Sequence, residues 1–86
     1  MNKKQTAVLR AIFADPVRAN ISWRDVISLL RALGAEVDEG SGSREGVVLH
    51  GRKAVLHRPH PQKEVGKPMV RALRDFLREA GVRSQT

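Results

Sequence analysis

Two histidines in the C-terminal half are the side chains best suited to chemistry. His57 and His60 flank Arg58 and Pro59, and Lys63 follows closely. A neutral imidazole can take a proton from a ribose 2′-hydroxyl, and a neighbouring cation can hold the phosphate as negative charge develops on it. The pattern therefore favours a ribonuclease site with His57 and His60 as catalytic candidates. The histidine spacing alone also fits an ordinary surface loop.

A glycine–serine segment is a second candidate for binding an anion. Residues 40–43 read Gly-Ser-Gly-Ser and lead into Arg44. The backbone amides of such a turn, with Ser43 and Arg44, suit a phosphate, although the same composition is typical of hairpin loops. No metal or cofactor is expected, because three histidines and no cysteine offer too few ligands for a zinc site.

Four cations lie on one side of a predicted C-terminal helix. Lys67, Arg71, Arg74 and Arg78 fall within a sector of about 60° at helical spacing, and apolar residues occupy the opposite side. We therefore expect this basic row to point away from the core and to contact a sugar-phosphate backbone. The alternative is an ordinary solvated helix face.

The charge of the chain also predicts an anionic partner. The net charge is +7 over 86 residues, and residues 47–86, which include Lys53, hold nine Lys or Arg against three Asp or Glu. The few aromatic residues lie in helical patterns, which argues against a sheet that stacks bases. Without cysteines, an apolar leader or a membrane-spanning run, we expect a cytoplasmic protein that makes no contact with membranes and is monomeric when alone.

Hydrophobic periodicity and turn residues predict three helices and three strands. The first helix covers 3–14, the second is capped by Ser22 with Asp25 in an acidic capping box and ends at Gly34, and the last runs from Pro68 to Gly81. Extended runs at 35–39, 46–50 and 53–57, separated by turns at 40–43 and 51–52, predict an antiparallel meander. The result is an α+β fold in the order α-α-β-β-β-α, with helices on one face of the sheet and a single domain over 1–86.

Taken together, these residues resemble the HicA family of toxins from bacterial toxin–antitoxin pairs. The likeness extends from Trp23 to Val82. It rests on the order of the following pieces: the helix ending at Leu33-Gly34, the Gly42-Ser43 turn, the hairpin near Gly51, the segment Arg58-Pro59-His60-Pro61-Gln62-Lys63-Glu64, and Leu73-Arg74, Leu77 and Ala80-Gly81 in the last helix. The N-terminal helix is additional to this pattern.

The resemblance implies a double-stranded-RNA-binding-like fold, metal-independent cleavage of mRNA and neutralisation by a HicB-type antitoxin. In the family a histidine directly follows the Gly-Ser turn, whereas this chain has Arg44 there, and arginine stays protonated and cannot act as a base. Three possibilities stay open: His57, His60 or His50 transfers the proton, cleavage proceeds by positioning and charge alone, or RNA is bound without cleavage. We favour the first, with phosphate contacts from Arg44, Arg58 and Lys63.

Two other classes of function are compatible with the residues. One is a non-catalytic RNA-binding domain that reads A-form shape through charged contacts and 2′-hydroxyls. The other is an interaction protein whose basic helix binds an acidic partner. DNA binding is less favoured, because the sequence offers no recognition helix with base-reading residues at its start.

Overall fold

The described part of the chain forms three helices and five short strands. The computed structural model describes residues 1–38, 44–60 and 63–83, so the predicted glycine–serine turn at 40–43 lies outside the described residues. The described elements are, in order, α1 (Lys3–Ile12), β1 (Ile21–Ser22), α2 (Trp23–Ala32), β2 (Glu36–Asp38), β3 (Arg44–Leu49), β4 (Arg52–His57), β5 (Glu64–Val65) and α3 (Lys67–Glu79).

The predicted antiparallel meander is confirmed, in the order β2-β3-β4. Its second turn lies one residue earlier than predicted, at His50-Gly51, because Leu49 pairs with Arg52. His50 and Gly51 have positive φ values of 49° and 80°, which suit the two central residues of a tight hairpin turn whose twist matches the strands. The strand preceding this turn therefore ends at Leu49.

The helices cover one face of this sheet, which confirms the α+β fold. Side chains alternate along β3, and those of Val47 and Leu49 are buried with Leu56 of β4. They pack in one apolar cluster with residues from all three helices, including Leu9, Leu30 and Leu73. None of the helices in the described residues is long and apolar enough to cross a membrane.

A second, two-stranded sheet was not predicted. Strand β1 pairs antiparallel with β5, with Ile21 opposite Val65, and both side chains are buried. The pair ties the segment before α2 to the segment before α3. Strands of two residues are too short to show an alternating pattern, so the sequence offered no periodic signal for them.

The N-termini of the first two helices are stabilised differently from each other. The Asn2 side chain accepts a hydrogen bond from the Gln5 amide at 2.8 Å, and Gln5 accepts one from the Asn2 amide at 2.9 Å, which forms a capping box. The capping box predicted for α2 is wrong, because the Ser22 side chain makes no capping hydrogen bond. Asp25 instead lies 3.7 Å from Lys4 of α1.

Candidate functional site

Arg44 and His57 are directly opposed at one end of the sheet. Arg44 is the first residue of β3, His57 is the last residue of β4, and the two are paired in the antiparallel register. Opposed side chains on adjacent strands have Cβ atoms about 4.5–5.5 Å apart. Both residues are exposed and alternate with buried neighbours, so they lie on the sheet face away from the helices.

The outward sheet face, by which we mean the face of β2, β3 and β4 that is turned away from the helices, carries further exposed side chains. Lys53 pairs with Val48, and Val55 pairs with Gly46. Lys53 is exposed, and the apolar side chain of Val55 also lies open, with 56% of the residue's surface accessible. The face therefore combines a basic end, the exposed apolar side chain of Val55 and, on β2, the exposed acidic residues Glu36 and Asp38.

Arg58 lies on the opposite side of the strand exit from His57. Its Nε is 3.6 Å from Oε2 of Glu45, whose side chain is only 3% exposed, whereas the Arg58 side chain is 54% exposed. The other carboxylate oxygen of Glu45 is buried and has no hydrogen-bond partner among the described residues. A buried carboxylate is costly unless paired, so Glu45 gives a physical reason for Arg58 to stay at this position.

Glu45 is a site residue that the sequence reasoning missed. The second strand was predicted to begin at Gly46, which left Glu45 outside the predicted strand. When the strand begins at Arg44, Glu45 falls on the same alternation as Val47 and Leu49 and must face the helices. An acidic residue in phase with buried valine and leucine was the available signal.

The segment after β4 holds the remaining loop candidates. His60 and Lys63 are exposed, and the backbone carbonyl of Lys63 accepts a hydrogen bond from the Trp23 amide at 2.9 Å. That bond fixes the Lys63 backbone at the start of α2. Ser43, the other predicted phosphate contact in a loop, lies outside the described residues.

The basic row on α3 divides into two halves. Lys67 and Arg71 in the first half are exposed. Arg74 is partly buried and donates from Nε to the Ile12 carbonyl at 2.9 Å and from Nη2 to the Ala14 carbonyl at 2.7 Å. The prediction that the whole row points outward is therefore wrong for Arg74.

Arg74 and Arg78 both contact the C-terminal end of α1. The carbonyl of Ile12 belongs to the last turn of that helix, where acceptors have no partner within the helix and where a cation is favourable. The guanidinium carbon of Arg78 lies 5.6 Å from the centre of the Phe13 ring, within the range of a cation–π contact. These two arginines hold the additional N-terminal helix against α3.

His50 also has a structural contact. Its Nδ1 lies 2.7 Å from the carbonyl oxygen of Ala80 at the end of α3, which satisfies an acceptor that the helix leaves open. Since a protonated Nδ1 is needed for that bond, this ring nitrogen is not available as a base. Among the three histidines considered for proton transfer, His57 and His60 are the ones without such a contact in the described part of the chain.

The residues at the end of the sheet could support proton transfer beside a permanently charged side chain. The Arg44 guanidinium could stabilise an oxyanion, and an imidazole such as that of His57 is a side chain suited to general acid or base catalysis. Within residues 1–38, 44–60 and 63–83, no three His, Asp or Glu side chains are grouped as metal ligands.

Comparison with known protein families identifies a match over most of the chain. Residues 23–82, which are more than half of the chain, match the family described as HicA toxin of bacterial toxin-antitoxin. Searches among curated proteins and among solved structures gave no match. The matched range begins at α2 and ends just after α3, so α1 lies outside it. The chain belongs to the HicA family of toxins from bacterial toxin–antitoxin systems.

Proposed function

We propose that this toxin binds mRNA and cleaves it without a metal at the end of the outward sheet face, with His57 as the base. The observation that carries the proposal is the pairing of His57 with Arg44. In the resemblance described above, the family's histidine occupies the position of Arg44. A histidine on the neighbouring strand, directly opposite, brings an imidazole to nearly the same place.

The proposed reaction is an intramolecular transphosphorylation, in which the ribose 2′-oxygen displaces the 5′-oxygen at phosphorus. His57 takes the proton of a ribose 2′-hydroxyl, and the freed oxygen attacks the adjacent phosphorus. The bond from phosphorus to the 5′-oxygen then breaks, and that oxygen receives a proton from His60 or from water. Arg44 stabilises the charge on the non-bridging oxygens. The products are a 2′,3′-cyclic phosphate and a 5′-hydroxyl end.

Exposed cations around this position support binding of a long anionic strand. Lys53 lies on the same face, and Arg58 and Lys63 follow the strand exit. Lys67 and Arg71 extend the charge along the first half of α3. Contacts of this kind add affinity without reading sequence and weaken as salt is raised.

We also propose that the antitoxin is of the HicB type and that it covers the outward sheet face. Exposed Val55, next to the Arg44 and His57 pair, is an apolar centre with a charged rim, as in many protein interfaces. Covering this face would exclude RNA from His57. An mRNA substrate places the action of the free toxin in the cytoplasm.

Single-stranded RNA labelled at its 3′ end tests the proposal. The purified protein with excess chelator should release labelled fragments that carry 5′-hydroxyl ends, and His57→Ala should abolish them. Adding Arg44→His to the His57→Ala variant places a histidine at the family position and should restore cleavage in part. Absence of cleavage by the wild-type protein, or full cleavage by His57→Ala, would overturn the assignment, and His60→Ala measures the share of the second histidine.

The second candidate function is RNA binding without cleavage, and Arg44 is the observation that favours it. A permanent cation in place of the family's histidine strengthens phosphate binding but cannot accept a proton. This function predicts salt-dependent RNA binding with no new ends, and it also predicts cleavage by the Arg44→His single variant alone. The assay above therefore separates the two functions.

A further inference from the structure

A groove on the helix side of the molecule lies between α1, α2 and the exit of β4. It encloses about 590 Å³, and its lining includes Gln5 of α1, Trp23 of α2 and Arg58. Arg24, Ser28 and Arg31 line it as well. In the described part of the chain the lining includes three arginines and no acidic residue, and Glu45 offsets part of the charge of Arg58 from behind, so the groove has an excess of positive charge.

The spacing of α2 directs these side chains to one side. Arg24, Ser28 and Arg31 are four and three residues apart, so they lie on one stripe of the helix. All three are exposed. Trp23 is 5% exposed and forms part of the wall. The stripe therefore presents two guanidinium groups and a hydroxyl to the same opening.

The additional N-terminal helix builds the opposite wall. The Gln5 side-chain amide donates to Oγ of Ser28 at 3.0 Å, while its oxygen is held by the capping box of α1. Both ends of this side chain are thus fixed. Because α1 lies outside the range matched to the family, this wall of the groove is formed by a part of the chain that the family match does not include.

Arg58, the third arginine of the groove, is held in place by Glu45 of the sheet. Glu45 is buried beside Arg58 and fixes its Nε side, while about half of the Arg58 side chain stays accessible. A guanidinium has five N–H donors, so Arg58 retains donors for a ligand in the groove. His57 precedes it directly on the opposite side of the strand, so the groove and the outward sheet face meet at the end of β4.

From this arrangement we infer that the groove binds a phosphate group of the RNA strand whose scissile bond lies at Arg44 and His57. A strand that passes over the end of the sheet can meet both surfaces, and planar guanidinium groups suit phosphate oxygens. The inference rests on the proposed function, because it concerns a second contact for the same substrate. It assigns Arg24, together with the accessible part of Arg58, to phosphate binding.

Trp23 provides the readout, because the chain has one tryptophan and no tyrosine. Short RNA with 2′-O-methyl groups, which prevent cleavage, is titrated while tryptophan fluorescence and the anisotropy of a label on the RNA are recorded. Arg24→Gln is compared with Arg83→Gln, which removes the same charge outside the groove. We expect the wild-type fluorescence to change with the anisotropy. We expect Arg24→Gln to weaken binding about threefold to tenfold more than the control.

The outcomes separate this inference from the proposed function. RNA binding without a fluorescence change, and with equal affinities of Arg24→Gln and Arg83→Gln, would overturn the groove while leaving the outward sheet face as the site. Absence of RNA binding by the wild-type protein would overturn both. RNA with and without a 5′-phosphate identifies the bound group, since a response only to the phosphorylated RNA indicates a terminal phosphate and an equal response indicates an internal one.

Discussion

The end of the outward sheet face and the second half of α3 both carry arginines, but the arginines of the two regions make different contacts. Arg44 at the sheet end is exposed beside His57 and has no hydrogen bond or ion pair within the described residues. Arg74 on α3 donates hydrogen bonds to two carbonyl groups at the end of α1. The same residue type is available to a ligand in one region and holds the fold together in the other.

This difference teaches that spacing places a side chain on a helix but does not determine its contacts. The basic row of α3 has the periodicity of a single surface. Its second half meets α1, the element that lies outside the family match. A neighbouring helix end with unpaired carbonyls is a strong acceptor for a guanidinium.

The largest effect should come from His57. Replacing it by alanine removes the proposed base, and we expect cleavage to fall by about 10²–10⁴-fold, the usual contribution of a positioned acid or base. RNA affinity should change much less, because the neighbouring cations Arg44 and Lys53 remain in the variant. Single-turnover cleavage and equilibrium binding measure the two quantities, and an equal loss in both would place His57 in binding instead.

Arg74 should show the reverse behaviour. Arg74→Met removes two hydrogen bonds from a charged donor, and we expect the free energy of unfolding to fall by about 2–3 kcal/mol. Cleavage per folded molecule should be retained. Denaturant unfolding of this variant is compared with Arg71→Met, an exposed position on the same row where less than about 0.5 kcal/mol is expected. Equal stabilities of the two variants would contradict the division of the row.

His50 should behave as a structural residue in spite of its imidazole. His50→Ala loses the hydrogen bond to Ala80 and places alanine at a positive φ. The expected loss in free energy of unfolding is about 1–2 kcal/mol, with the cleavage rate of the folded fraction unchanged. A selective loss of cleavage at full stability would return His50 to the catalytic candidates.

The smallest effect should be at Arg78. Arg78→Gln removes the contact with the Phe13 ring, worth about 0.5 kcal/mol at an exposed site. The temperature of thermal unfolding should therefore change only slightly. Although one cation is lost, the salt dependence of RNA binding should stay close to that of the wild-type protein, because Arg78 lies away from the proposed RNA-binding surface. Replacement of Arg71 by glutamine should instead reduce the slope of that salt dependence by about 0.7.

The sequence predicted the meander and the helices because alternation and helical periodicity extend over enough residues to be read. It did not predict the contacts of Arg74 or His50, because both depend on carbonyl groups of helices distant in sequence. The pairing of Arg44 with His57 follows from the hairpin register. The observed turn at His50-Gly51 sets that register. The sequence prediction had placed the turn one residue later.

A map of RNA contacts on the protein tests the central claim most directly. Amide NMR signals are followed while uncleavable 2′-O-methyl RNA is added to the wild-type protein. The account predicts the largest shifts at Arg44 and at residues 53–58, with smaller shifts at Lys67 and Arg71. Large shifts at Arg74, Arg78 and the end of α1, with none at Arg44 and His57, would contradict it.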